Sequence, residues 1–226
     1  MDENDGGGAA RPDGDIDHFA LRARILQRTL RCLDDRTVED LTVSCVCERA
    51  QVSRSQFYRL LESKYDVFNW WLRMTMRSSF AQIGTVLPWN RGLVELLRAL
   101  DVNRRLCTAF LVDNPSDVCR DALTSYAERS LLRSLGRHVP EGDLPPRYRF
   151  EARMFAHVLT LAVREWLGED APPYALADNL MAVVPPDLLE LLGVDDEGDP
   201  FTNERLRVTD DAAVIGFVAE EVFTSL

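Results

Sequence analysis

Two helix-start signals lie only ten residues apart in the sequence, and no other feature restricts the fold as strongly. Ser53 and Gln56 stand in the S-x-x-Q relation of a capping box, and Ser63 and Asp66 repeat it as S-x-x-D. In a capping box, each of the two side chains bonds the backbone N–H of the other residue, which fixes where a helix begins. The sequence therefore predicts a very short helix between the two starts, within a tight helical unit.

The residues before this pair also predict short helices. Apolar residues recur at helical spacing over 19–33, which indicates an amphipathic helix that starts near Asp17. A second helix is expected at 43–50, with Thr42 as its N-cap and a turn at 51–52 behind it. Together these signals predict a three-helix unit near the beginning of the chain.

Helical periodicity also fills the rest of the chain. No alternating strand pattern is present, so the expected fold class is all-α, with the three-helix unit followed by a larger helical bundle. The fourth helix is expected to run from Lys64 through Phe80 and to end between residues 84 and 88. Later helices, separated by turns rich in Pro, Gly and Asp, are expected at 92–100, 104–112, 116–135, 147–167, 175–184, 187–192 and after residue 209.

The helix that starts after Ser53 has two different faces. Its apolar face is expected to pack on the two preceding helices, while the opposite face carries Arg54, Ser55, Tyr58 and Arg59. Guanidinium and hydroxyl groups suit contacts with phosphates and base edges in a DNA major groove. A short helix, a tight turn and a second helix with such a face form the helix-turn-helix arrangement.

Charge follows the same division of the chain. The chain holds 37 acidic and 26 basic residues, a net charge of −11, yet residues 18–80 carry +4 while 1–17 carry −5 and 81–226 carry −10. A positive stretch in an acidic chain favours local contact with nucleic acid. We therefore expect a disordered acidic tail at 1–17, a helix-turn-helix domain at 18–64, a larger helical domain at 65–186 and a helical extension at 187–226.

The sequence lacks the features of several other classes of protein. It has no apolar segment typical of a signal peptide or of a membrane span, so we expect a cytoplasmic protein without a membrane partner. Its five cysteines lack metal-binding spacing, and its three histidines are scattered. Because no nucleotide-binding or nucleophile motif occurs either, we expect no metal, no cofactor and no enzymatic activity.

Residues 41–68, LTVSCVCERAQVSRSQFYRLLESKYDVF, resemble the DNA-binding domain of TetR-family transcriptional regulators, whose signature is T-V-x-x-I-A-x-x-A-G-V-S-x-x-T-F-Y-x-x-F-x-S-K-x-x-L. The matching positions are Thr42, Val43, Val46, Ala50, Val52, Ser53, Phe57, Tyr58, Ser63 and Lys64. Gln51 departs from the family glycine at a turn where a positive φ is expected, which predicts a strain of about 1 kcal/mol. Residues 64–70 are also similar to the dihydroxyacetone-kinase regulator branch, some of whose members act as co-activators.

The resemblance implies a homodimeric regulator of transcription, most often a repressor, that binds a palindromic operator in double-stranded DNA and responds to an unknown small-molecule effector. The residues that would contact DNA are Thr42, Ser44, Arg54, Ser55, Gln56, Tyr58, Arg59 and Lys64. A ligand pocket would lie among the helices of the larger domain, lined by Trp70, Met74, Phe110, Tyr126 and Phe155.

The resemblance also implies a dimer interface on the last two helices of the larger domain, formed by Phe155, Leu159, Val163, Trp166 and Leu180. Helix 147–167 is apolar on more than one side, which fits either a central core helix or a helix shared with a second subunit. A second interpretation of the chain is a co-regulator that keeps the fold without binding DNA. Gln51, Glu62 and the acidic excess favour this alternative, because Glu62 lies near the proposed DNA-binding face.

Overall fold

The computed structural model describes residues 12–139 and 144–193, and within these residues the chain is all-α, as the sequence predicts. Only an isolated bridge between Ile83 and Leu87 has β geometry in this part of the chain. The described helices are α1 (Pro12–Cys32), α2 (Val43–Ala50), α3 (Arg54–Leu60), α4 (Lys64–Ser78), α5 (Trp89–Val102), α6 (Arg104–Cys107), α7 (Val118–His138), α8 (Pro146–Leu167), α9 (Pro173–Met181) and α10 (Pro186–Leu191).

Most helices begin and end within a few residues of the predicted positions. Helix α1 begins at Pro12, before the predicted start near Asp17, and α9 ends at Met181 rather than near residue 184. Residues 1–11 of the expected tail and the predicted helix after residue 209 lie outside the described residues. None of the described helices combines the length and the apolar character needed to cross a membrane.

Helix α4 ends earlier than predicted, at Ser78 instead of beyond Phe80. The Ser79 hydroxyl donates to the Thr75 carbonyl at 2.6 Å, and such back-bonding competes with the helical hydrogen-bond pattern. The chain then makes a short 3₁₀ turn over Phe80–Gln82 and passes through Gly84 at φ 76°. This turn redirects the chain into α5.

Aromatic contacts connect α4 to both parts of the molecule. Trp70 contacts Phe19 of α1 edge to face, with ring centroids 5.2 Å apart. Phe68 stacks on Phe110 at 5.0 Å, and Phe110 belongs to a π-helical turn over Thr108–Val112 that continues α6. Helix α4 therefore fixes the three-helix unit formed by α1, α2 and α3 against the larger domain.

The larger domain is built around α7 and α8. The hydroxyl groups of Thr124 and Thr160 hydrogen-bond at 2.8 Å between these helices, and Arg153 donates to Glu128 at 3.1 Å. Arg104 packs its guanidinium over the Trp166 ring at 4.3 Å and donates to the backbone carbonyls of residues 166, 167 and 169. A cation at this position stabilises the C-terminal end of α8, where unpaired carbonyls concentrate negative charge.

Candidate nucleic-acid interface

The turn between α2 and α3 depends on the backbone of Gln51. Gln51 has φ 53° and ψ 47°, the left-handed conformation, and its N–H donates to the Glu48 carbonyl at 3.2 Å. The Val52 N–H donates to the Cys47 carbonyl at 3.0 Å, which completes the end of α2. Gln51 is the only residue other than glycine with positive φ in the described part of the chain, which confirms the geometry that the sequence predicts there.

The capping box predicted at the start of α3 is present. The Ser53 hydroxyl accepts from the Gln56 N–H at 3.1 Å, and the Gln56 amide oxygen accepts from the Ser53 N–H at 2.9 Å. These two bonds fix the direction in which α3 leaves the turn. Gln56, predicted to approach bases, therefore has its amide oxygen engaged and its NH₂ group left as a donor.

Helix α3 has the two faces that its sequence predicts. Phe57 and Leu60 are buried against the other helices of the unit. The exposed face carries Arg54, Ser55, Gln56, Tyr58 and Arg59, and the Arg54 guanidinium lies 6.0 Å from the centroid of the Tyr58 ring. The helix contains two arginines and no acidic residue. This face offers guanidinium, hydroxyl and phenol groups to a ligand in solution.

The start of α2 adds two exposed hydroxyl groups to the three-helix unit. Thr42 accepts from the Cys45 N–H at 3.2 Å and is the N-cap of α2, as predicted. A hydroxyl that accepts a capping bond still has its own hydrogen to donate, so capping and phosphate binding are compatible at Thr42. Ser44, one residue into the helix after Val43, is exposed as well.

At the start of α4 the structure places an acidic group among the expected phosphate contacts. The Asp66 carboxylate accepts from the N–H groups of Glu62 and Ser63 at 3.1 and 2.7 Å, and from the Ser63 hydroxyl at 2.9 Å. These two N–H groups therefore already have an anionic acceptor, so a phosphate would have to compete for them. The sequence predicts the capping relation, but not its effect on anion binding.

Lys64 is engaged with the chain that precedes α2. Its ammonium donates to the carbonyls of Val38 and Glu39 at 2.7 and 2.9 Å, and it lies 5.4 Å from the centroid of the Tyr65 ring. An ammonium group has three N–H donors, so one donor is left for a phosphate. Lys64 thus ties the start of α4 to the loop before α2, a role that its sequence motif does not reveal.

The five residues expected to line a ligand pocket pack against other protein groups in the structure. Phe110 stacks on Phe68, and Phe155 contacts Trp89 at 5.4 Å between ring centroids. Trp70 is buried against Phe19. Met74 and Tyr126 are partly buried, with Arg129 lying over the Tyr126 ring.

The residues expected at the dimer interface lie inside the core of a single chain. Phe155, Leu159, Val163, Trp166 and Leu180 each expose at most 3% of their surface. A second chain cannot contact them unless this core opens. Helix α8 exposes other apolar residues on its opposite side, namely Phe150, Met154, Val158 and Leu161. The helical pattern predicts two apolar sides, but it does not indicate which of them faces the core.

A cavity that the sequence does not predict lies between the two parts of the molecule. It has a volume of about 330 Å³ and is lined by Leu33, Arg36, Thr37, Val38, Arg105, Thr108, Ala109 and Asp113. Its walls come from the loop after α1 and from α6 with its π-helical turn, which are far apart in the sequence. Among the described residues, no group of three or more His, Cys, Asp or Glu side chains is placed to hold a metal ion.

Solved structures with the same arrangement of helices are regulators of transcription. The dihydroxyacetone kinase operon activator DhaS superposes with a TM-score of 0.54 at 14% identity, over 78% of this chain and 99% of that chain. A TetR transcriptional regulator from Streptococcus agalactiae 2603V gives 0.52 at 20% identity, over 76% and 97%. No protein-family model matches the sequence, and a search of curated proteins gives no match. The chain has the all-α fold of TetR-type regulators.

Replacing Gln51 by glycine is expected to raise the free energy of unfolding by about 1 kcal/mol, because glycine adopts positive φ without a clash at Cβ. Urea denaturation followed by circular dichroism measures the change. Gln51→Ala is the matched control, since alanine keeps the Cβ and should give no gain. A glycine variant no more stable than the alanine variant would contradict the assignment of strain to this turn.

Proposed function

We propose that this protein is a DNA-binding regulator of transcription that acts in the cytoplasm as a homodimeric repressor on a palindromic operator. The observation that carries the proposal is α3, which presents Arg54 and Arg59 to solvent and buries its opposite side. Paired guanidinium groups on an exposed helix suit phosphate oxygens and guanine edges in a major groove. The similar solved structures are regulators of transcription, which supports the same class for this chain.

The double variant Arg54→Ala/Arg59→Ala is expected to bind the DNA upstream of the protein's own gene at least about tenfold more weakly, because it loses two cationic contacts. Gel retardation over a range of salt concentrations measures this, and the salt dependence of binding should become less steep. If the protein represses, the same variant should raise transcription from a reporter fused to that DNA. Lys64 is left unchanged because its ammonium also holds the loop before α2.

The matched control is Arg133→Ala/Arg137→Ala, which removes two exposed arginines from α7 in the larger domain. It changes the net charge by the same amount as the Arg54→Ala/Arg59→Ala variant, in a helix that is distant from α3 in the sequence. This control should retain DNA like the unaltered protein. Equal retardation by both double variants would reject α3 as the DNA-binding helix.

The alternative function is a co-regulator that binds a protein and not DNA. The observation that favours it is the Asp66 carboxylate, which occupies the N–H groups of Glu62 and Ser63 where a phosphate would otherwise bind. This alternative predicts that the unaltered protein binds no DNA even at low salt. It also predicts that the protein forms a stable complex with a partner protein.

We propose that the exposed apolar side of α8 forms the homodimer interface. Phe150 and Leu161 expose 64% and 54% of their surface, and Met154 and Val158 lie between them on the same side. Tyr174 near the start of α9 exposes 62% of its surface. Monomeric proteins seldom expose such a continuous apolar stripe. A second copy of the chain, related by a two-fold axis, could cover it with its own identical stripe.

Leu161→Glu is expected to weaken dimerisation by at least about tenfold, because burying an unpaired carboxylate in an apolar interface is costly. Light scattering coupled to size-exclusion chromatography over a dilution series measures the molar mass. Val102→Glu on α5 is the control, since Val102 is 53% exposed and belongs to a helix that is not part of the proposed interface. An unaltered protein that elutes as a monomer at all concentrations would remove the basis for the dimer.

We propose that a small-molecule effector binds the cavity between the loop after α1 and the π-helical turn. Its volume of about 330 Å³ suits a small molecule, and Arg36 and Arg105 place guanidinium groups in its lining together with the Asp113 carboxylate. An anionic ligand would bind Arg36 and would compete with Asp34, which pairs with Arg105. A ligand there would contact the three-helix unit and the larger domain together. Binding that favours a different orientation of the two would change the separation of the α3 helices in a dimer.

Ala109→Phe is expected to fill this cavity and to abolish stabilisation by its ligands. The measurement is a thermal shift over a panel of small carboxylates, in which the unaltered protein should show a raised Tm with at least one compound. The variant should show no rise with that compound and should still bind DNA. A rise of equal size in the variant would place the ligand elsewhere.

A further inference from the structure

Two cysteines from different helices meet inside the three-helix unit. Cys32 is the last residue of α1, Cys45 is the third residue of α2, and their Sγ atoms lie 3.5 Å apart. Cys32 is 1% exposed and Cys45 is 9% exposed, at the edge of the buried core. Both are free thiols in this structure. The pair is close enough that bond formation needs only a small approach of the helices.

Positive charge is concentrated on one side of the pair. The Arg36 guanidinium donates to the Cys45 sulfur at 2.6 Å. Arg49 also acts electrostatically on Cys32, and it pairs with Asp35 at 3.6 Å and donates to the Arg31 carbonyl. A cysteine beside guanidinium groups holds negative charge on sulfur more readily than an isolated one, and the thiolate is the nucleophilic form.

The two sulfurs therefore differ in chemical role. Burial, followed by the hydrogen bond and charge of Cys45, raises the pKa of the Cys32 thiol to about 11. This assigns Cys32 to the part of the resolving thiol, and Cys45, whose sulfur the Arg36 guanidinium contacts, to that of the attacking one. Burial also raises the pKa of Cys47, of Cys107 and of Cys119, the last to about 12.

We propose that Cys32 and Cys45 form a redox-sensitive dithiol that a peroxide oxidises to a disulfide, and that this bridge weakens DNA binding. The regulatory part rests on the proposed function above; the oxidation does not. The Cys45 thiolate attacks one peroxide oxygen, the O–O bond breaks, and hydroxide or alkoxide leaves to give a sulfenic acid on Cys45. The Cys32 sulfur then attacks Cys45, its proton passes to the departing hydroxyl, and water leaves. Two thiols are oxidised and one peroxide is reduced.

The bridge would act on the DNA-binding unit through α2. The S–S bond of a disulfide is much shorter than the present 3.5 Å between the two Sγ atoms. Formation of the bond would therefore draw α1 and α2 closer to each other. Helix α2 carries Thr42 and Ser44 at its exposed end and leads directly into the turn that directs α3. The bridge would also change the contact of Arg36 with the Cys45 sulfur, and Arg36 lines the cavity between the two parts of the molecule.

The chemical part is tested on the full-length, reduced protein treated with hydrogen peroxide. Intact mass spectrometry should show the loss of two hydrogen atoms, reversed by dithiothreitol, and peptide mapping after alkylation should identify a Cys32–Cys45 link. Cys32→Ser and Cys45→Ser should each prevent this loss. Cys47→Ser, which alters another buried thiol of α2, should not. A different cysteine pair, or no link in the unaltered protein, would overturn the proposal.

The regulatory part is tested by gel retardation of the same samples. Oxidised protein should bind the upstream DNA at least about tenfold more weakly than reduced protein, and dithiothreitol should restore binding. Cys32→Ser should bind equally before and after peroxide, while Cys47→Ser should respond like the unaltered protein. A confirmed link without a change in retention would overturn the regulatory part. If the reduced protein does not bind the DNA at all, the proposed function is rejected. The oxidation of the two thiols is then tested by mass spectrometry alone.

Discussion

The stacking of Phe68 on Phe110 joins the two parts of this molecule, and the orientation of the three-helix unit depends on it. Phe68 belongs to α4, which also contacts α1 through the edge of Trp70 on Phe19. Because both rings of the stack are fully buried, α4 cannot move relative to the larger domain without exposing apolar surface. Any signal that reaches the π-helical turn around Phe110 therefore also acts on α4 and on the helices that precede it.

Arg36 connects the two proposed means of control. Its guanidinium contacts the Cys45 sulfur in the three-helix unit and also lines the cavity whose opposite wall includes Arg105. An anionic ligand in the cavity and the Cys45 sulfur would compete for the same guanidinium group. Oxidation of the thiols would remove one of these competitors, which makes ligand binding and redox state interdependent at a single side chain.

The sequence predicts the local features of the site because they depend on near neighbours. The Ser53–Gln56 capping box, the Thr42 cap and the positive φ of Gln51 each involve residues within a few positions, and all are present. Features that need distant partners could not be predicted. The carbonyl contacts of Lys64, the pairing of Cys32 with Cys45 and the inward side of α8 depend on which helices meet, and periodicity does not contain that information.

Position 64 is the only lysine in a chain whose other 25 side-chain cations are arginine. Its ammonium donates to the adjacent carbonyls of Val38 and Glu39. Lys64 is therefore the one side-chain amine that an acylating reagent could modify, and acylation would break the hydrogen bonds that hold α4 to the loop before α2.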